Sequence, residues 1–147
     1  MSVAELQAAF DACTARQKTI LALLALTGEP MGKSRVPAFL GLLGDDAPED
    51  DIAADLAHLA ACGLARELPS RGAIVQPDAS WIAIEHVLKE RRLSEFREVY
   101  GHVTPLRVDW QGAPMLRSYR QGMALLRMAL VGGEGPKHVA PLLAACL

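Results

Sequence analysis

Gly28-Glu29-Pro30-Met31-Gly32-Lys33-Ser34 is the segment of this chain that comes nearest to a chemical motif. It follows an apolar run and precedes a helical pattern, as a loop that cradles a nucleotide phosphate does. Such a loop needs four residues between its first Gly and the Gly-Lys-Ser/Thr. Here three intervene, and Thr27 stands where the Gly is required. A cradle whose backbone N–H groups converge on one phosphate does not tolerate that deletion. The preceding run is Ala/Leu-rich rather than β-branched, and no apolar run ending in Asp follows to hold magnesium. The segment is read as a turn between helices.

Other constellations carry less. His58, His86, His102 and His138 share no ligand spacing with one another or with Cys13, Cys62 and Cys146, so no metal or cofactor is expected. The acidic run Asp45, Asp46, Glu49, Asp50 and Asp51 lacks the glycine and spacing of a calcium loop and suits a helix N-terminus. Ser34, Ser70, Ser80 and Ser118 lie in no nucleophile elbow. No catalytic residue is assigned, and the chain is expected not to be an enzyme.

The elements around these residues follow from composition and period. Of 147 residues, 51% are apolar and 5% aromatic. With 24 Ala, 22 Leu and no Asn, helices are favoured over strands. A chain of this length buries a substantial core without disulfides or metal. Thr14-Ala15-Arg16-Gln17 has capping-box spacing and starts a helix that is apolar on most sides and therefore central. Ser34 is expected to cap a helix over 35–43, and Ile52, Leu56 and Leu59 mark another over 48–62, stopped by Gly63. Residues 64–68 and 73–76 flank a turn at Pro69-Ser70-Arg71-Gly72 and predict a β-hairpin. Further helical pattern carries the stripes Trp81, Ile84, Leu88 and Tyr119, Met123, Leu126, Leu130, with Ser94 as a cap between them. Residues 104–114 form a Pro/Gly-bounded connection with two extended pieces about Gln111-Gly112. The last helices are expected over 115–131 and 136–146.

Charge is divided unequally along the chain. Residues 1–63 hold 4 basic and 9 acidic side chains, and residues 64–147 hold 11 and 8. Arginine supplies 11 of the 15 basic groups, which suits planar contact with phosphate or carboxylate. No uncharged run approaches the ~20 residues of a membrane span. Glu5 and Asp11 stand where an export signal carries positive charge, so a cytoplasmic protein with free thiols is expected.

Helix 14–27, turn, helix 35–43, loop, helix 48–62 and hairpin follow the plan of the winged helix-turn-helix superfamily, which the stretch Ile52 to Glu67 resembles. That resemblance implies a mainly α fold with one small β-hairpin. A winged-helix domain with an N-terminal helix would occupy 1–78. A helical bundle of two helical hairpins over 79–147 would pack on it. In such a fold the third helix enters the DNA major groove. The face opposite Ile52, Leu56 and Leu59 is Asp50, Ala54, Ala57, His58 and Ala61, which offers none of the favoured base-reading groups. It suits contact with a protein. Lys33, Arg35, Arg66 and Arg71 near the wing are candidates for phosphate contact without sequence reading. So are Arg117, Arg120 and Arg127, unless they pair with acids such as Glu95 and Glu98.

Residues 105–112 and 117–130 resemble the N-terminal accessory region of bacterial Swi/Snf-type helicases. The implied chain is a fragment of a longer protein whose motor lies elsewhere. The expected partner is then a protein or the remainder of that chain, with sequence-independent DNA contact and no membrane. A stand-alone transcription regulator and a pure protein-interaction or dimerisation domain are the alternatives.

Overall fold

Thr14 and Gln17 begin the central helix by satisfying each other. The Thr14 hydroxyl accepts from the Gln17 N–H at 3.1 Å, and the Thr14 N–H donates to Gln17 Oε1 at 3.0 Å. In the computed structural model, which describes residues 1–147, this helix is α2 (Ala15–Thr27), preceded by α1 (Val3–Asp11). Every residue from Thr19 to Thr27 is buried. The two threonines are accommodated because their hydroxyls donate to the carbonyls of Ala15 and Leu23. Gly28, at φ 64°, adopts the left-handed conformation that ends the helix.

Next come α3 (Val36–Leu42), α4 (Glu49–Ala61), β1 (Ala65–Leu68) and β2 (Gly72–Val75). Glu49, Asp50 and Asp51 fill the first turn of α4, where the exposed N–H groups favour negative charge. Ile52, Leu56 and Leu59 turn inward as their spacing predicts. The antiparallel pair β1–β2 is registered Ala65 to Val75 and Leu68 to Gly72. Met31, between α2 and α3, adds a one-residue third strand to it. Its N–H donates to the Ala73 carbonyl at 3.0 Å, and the Ala73 N–H returns to Met31 at 2.8 Å.

The remaining elements are α5 (Pro77–Lys89), α6 (Leu93–Val103), β3 (Arg107–Val108), β4 (Pro114–Met115), α7 (Tyr119–Val131) and α8 (Pro136–Cys146). Helices α5 and α7 lie against α2, so one cluster of 31 buried residues draws on both halves of the chain. The segments 1–78 and 79–147 share that core. No helix is long and apolar enough to cross a membrane.

Several expectations are corrected. The two extended pieces about Gln111-Gly112 are present as β3 and β4, but they pair into a second, two-residue hairpin where one hairpin was expected in all. Only α7 and α8 form a helical hairpin; α5 packs on α1 and α2, whereas α6 packs on α3 and α7. A left-handed Arg91 (φ 56°) between α5 and α6 lets them diverge to different sides of the core. Ser34 does not cap α3, whose cap position is Arg35, and Ser94 lies inside α6. Of the two apolar stripes Ile84 and Leu126 are buried as expected, but Trp81, Tyr119 and Leu130 are 60%, 66% and 58% exposed, and Ala79, Ile82, Ala83, Val87, Ala124, Met128 and Ala129 complete the buried faces. The face that each helix buries is thus rotated away from Trp81 and Tyr119.

Tyr100 of α6 is buried beside Phe39, with ring centroids 6.3 Å apart. Burial pushes its phenol up to about 12; the Glu29 carboxylate adds to the rise and Arg35 opposes it. A phenol in an unfolded chain titrates near ~10. Below that pH both forms keep the proton and the Tyr100 contribution to stability is complete. Between about pH 10 and 12 the unfolded chain ionises first, and stability falls by about 1.4 kcal/mol per pH unit. Denaturation of the protein and of Tyr100→Phe across that window checks this, the expected difference being a loss confined to the unsubstituted chain. Parallel curves would contradict it.

Candidate nucleic-acid interface

The β1–β2 turn is built by Pro69 and Ser70, the latter left-handed at φ 61°, and is closed by the Arg71 N–H donating to the Leu68 carbonyl at 3.2 Å. It projects Arg71 beside the Gly32–Arg35 turn. Between the two lies an open cleft of about 750 Å³, floored by Ala53 and Leu56 of α4. Lys33, Arg35, Arg71 and Glu67 line it.

These charges are not equivalent. Arg35 is already neutralised, with Nε 2.8 Å and Nη2 3.4 Å from the Glu29 carboxylate. Its guanidinium lies 5.1 Å over the Phe39 ring and also donates to the Thr104 hydroxyl. Lys33 and Arg71 are exposed and enter no ion pair. Arg66 is equally exposed but does not line the cleft. The cleft thus gathers two free cations, one paired arginine and one carboxylate.

The arginines of α7 divide as well. Arg127 donates from Nη1 to the Leu26 carbonyl at 3.2 Å and packs over Gly28. It occupies the C-terminal end of α2, where partial negative charge accumulates. Arg117 and Arg120 remain exposed and pair with neither Glu95 nor Glu98. Glu95 instead binds Arg92, which holds its carboxyl below the usual range. Arg97 holds Glu134 in the same way.

On α4 the side chains of Asp50, Ala54, Ala57, His58 and Ala61 are all exposed. His58 Nε2 lies 3.4 Å from Cys62 Sγ, and the rest of the face is methyl groups and one acid. The helix is held from behind. Asp55, 5% exposed, accepts from Arg16 Nε at 2.5 Å and from Gln17 Nε2 at 3.1 Å, and it raises the Arg16 pKa. Gln17 therefore caps α2 with its carbonyl oxygen and secures α4 with its amide.

Two further features belong to the assembled fold. Trp110, at the tip of β3–β4, is 91% exposed. Thr104 joins Arg35 of the cleft to Gln121 of α7, whose amide donates to the Thr104 and Pro105 carbonyls at 3.3 Å. The turn sequence Asp109-Trp110-Gln111-Gly112 is a signal for the first; the second joins residues far apart in sequence.

Comparison of the chain with protein-family models, characterised proteins and solved structures returns no match.

Proposed function

We propose that the chain is a winged-helix accessory module of a DNA helicase or translocase, non-enzymatic itself. It presents α4 to a protein surface and the wing edge to a nucleic-acid backbone. The observation that carries this reading is the order helix, Met31 strand, two helices, then β1 and β2 paired behind Met31, with Lys33, Arg66 and Arg71 exposed and unpaired around them. A helix docked in a major groove reads bases with Arg, Lys, Asn, Gln, Ser or Thr. The outer face of α4 has none of these, and Asp50 on it repels phosphate. Lys33, Arg66 and Arg71 give charge without a pattern of donors and acceptors. The resemblance of residues 105–112 and 117–130 to the Swi/Snf accessory region supports attachment to a motor.

Binding to two duplexes of unrelated sequence tests the reading. Both are expected to bind weakly and within about threefold of each other, since phosphate contacts carry no sequence information. A preference for one operator of about a thousandfold would favour a transcription regulator instead. A purely protein-binding domain would bind neither duplex at low salt.

A further inference from the structure

We infer that the β3–β4 hairpin and the start of α7 form a stacking platform for single-stranded nucleic acid, tied to the cleft beside the wing through Thr104. The inference rests on the nucleic-acid reading of the wing and adds to it the state of the strand bound.

Trp110 is held out to solvent by an ordered turn. Asp109 Oδ1 accepts from the N–H groups of Gln111 at 2.8 Å and Ala113 at 2.9 Å, and the Asp109 N–H donates to the Ala113 carbonyl at 2.9 Å. The only carboxylate of the hairpin is thereby engaged by its own backbone. Arg107 on β3, with Arg117 and Arg120 after β4, are exposed and enter no ion pair. Tyr119, between the last two in sequence, is 66% exposed. The platform is anchored rather than pendent: Gln121, buried, accepts from the Arg117 N–H at 2.6 Å and bonds the strand approaching the hairpin at Thr104 and Pro105. Thr104 in turn accepts from Arg35 at the cleft.

Two ring faces among three arginines match a chain that alternates π faces with negative charge. Unpaired bases stack on aromatic side chains while phosphates meet the guanidinium groups, and a duplex, whose bases are already stacked, gains only the second contact. An apolar protein surface covering Trp110 would desolvate three arginines without supplying counter-charge, which is costly. The charge therefore selects a polyanion.

The test is titration with an oligothymidine of about fifteen nucleotides, which neither pairs with itself nor carries a sequence to read. The protein has two tryptophans, so Trp81→Phe and Trp110→Phe separate their emission. The oligonucleotide is expected to quench the first variant and leave the second unquenched. Trp110→Ala is expected to weaken oligothymidine binding roughly five- to hundredfold, from ~1–3 kcal/mol per stacked base, and to change duplex binding less than about twofold. Duplex binding without quenching of Trp110 would overturn the platform and leave the wing reading intact. Failure of both probes at low salt would overturn both. Trp110 emission that shifts with protein concentration alone would make the hairpin a self-association surface and overturn the platform.

Discussion

Gly72→Ala is expected to destabilise the protein by about 3 to 5 kcal/mol and to detach the β1–β2 hairpin from the Met31 segment. A Cβ at this position would lie 2.2 Å from the Met31 carbonyl oxygen and 2.4 Å from the Gly32 nitrogen. Both are backbone atoms, so no side-chain rotation relieves the overlap. The backbone is also at φ 93°, a conformation that costs a side-chain-bearing residue about 1 to 3 kcal/mol. The two hydrogen bonds between Met31 and Ala73 would be lost with the displacement, at about 1 kcal/mol each. Gly44→Ala separates these contributions, because Gly44 has φ 78° with no atom near its would-be Cβ, and only the conformational cost should appear. Urea denaturation of both variants checks the difference; equal losses would mean that the approach of Met31 to the β1–β2 hairpin contributes nothing.

Arg16→Ala is expected to cost about 3 kcal/mol. It would leave the Asp55 carboxylate, buried between α2 and α4, with Gln17 as its single side-chain donor. Removing one partner of a buried pair costs ~3–5 kcal/mol because the other charge remains uncompensated. Gln17 holds the cost at the lower end. The double change Arg16→Met with Asp55→Leu should recover most of the loss, since apolar replacements remove both desolvation penalties together. Denaturation midpoints of the single and double variants decide this, and a loss below about 1 kcal/mol in Arg16→Ala would class the pair with surface ion pairs.

The same two regions show what local sequence can convey. The Thr14–Gln17 cap is a rule over four residues and is satisfied as the spacing predicts; the burial of α2 from Thr19 to Thr27 follows from apolar residues on all its sides. The stripes of α5 and α7 hold at Ile84 and Leu126 and fail at Trp81, Tyr119 and Leu130, because large side chains dominate any hydrophobic period while the buried faces also take in Ala79, Ala83, Ala124 and Ala129. The candidate site divides similarly. Residue type finds Lys33, Arg66, Arg71, Arg117 and Arg120 as exposed cations. It does not distinguish Arg35, whose charge is taken by Glu29 across a turn, or Arg127, whose partner is the Leu26 carbonyl 101 residues away. Those assignments depend on the assembled fold. The second hairpin is legible only as two extended pieces about Gln111-Gly112, too short to leave a strand period, and its tryptophan is prominent only once its exposure is known.

The dependence of duplex affinity on salt tests the central claim most directly. Each phosphate neutralised releases counterion, and log K falls with log salt at a slope of about −0.9 per contact. With Lys33, Arg66 and Arg71 on a backbone, a slope of about −2 to −3 is predicted, reduced by about 2 in the Lys33→Ala/Arg71→Ala variant. A slope unchanged by that substitution, or affinity indifferent to salt, would contradict the assignment of the wing edge to a nucleic-acid backbone.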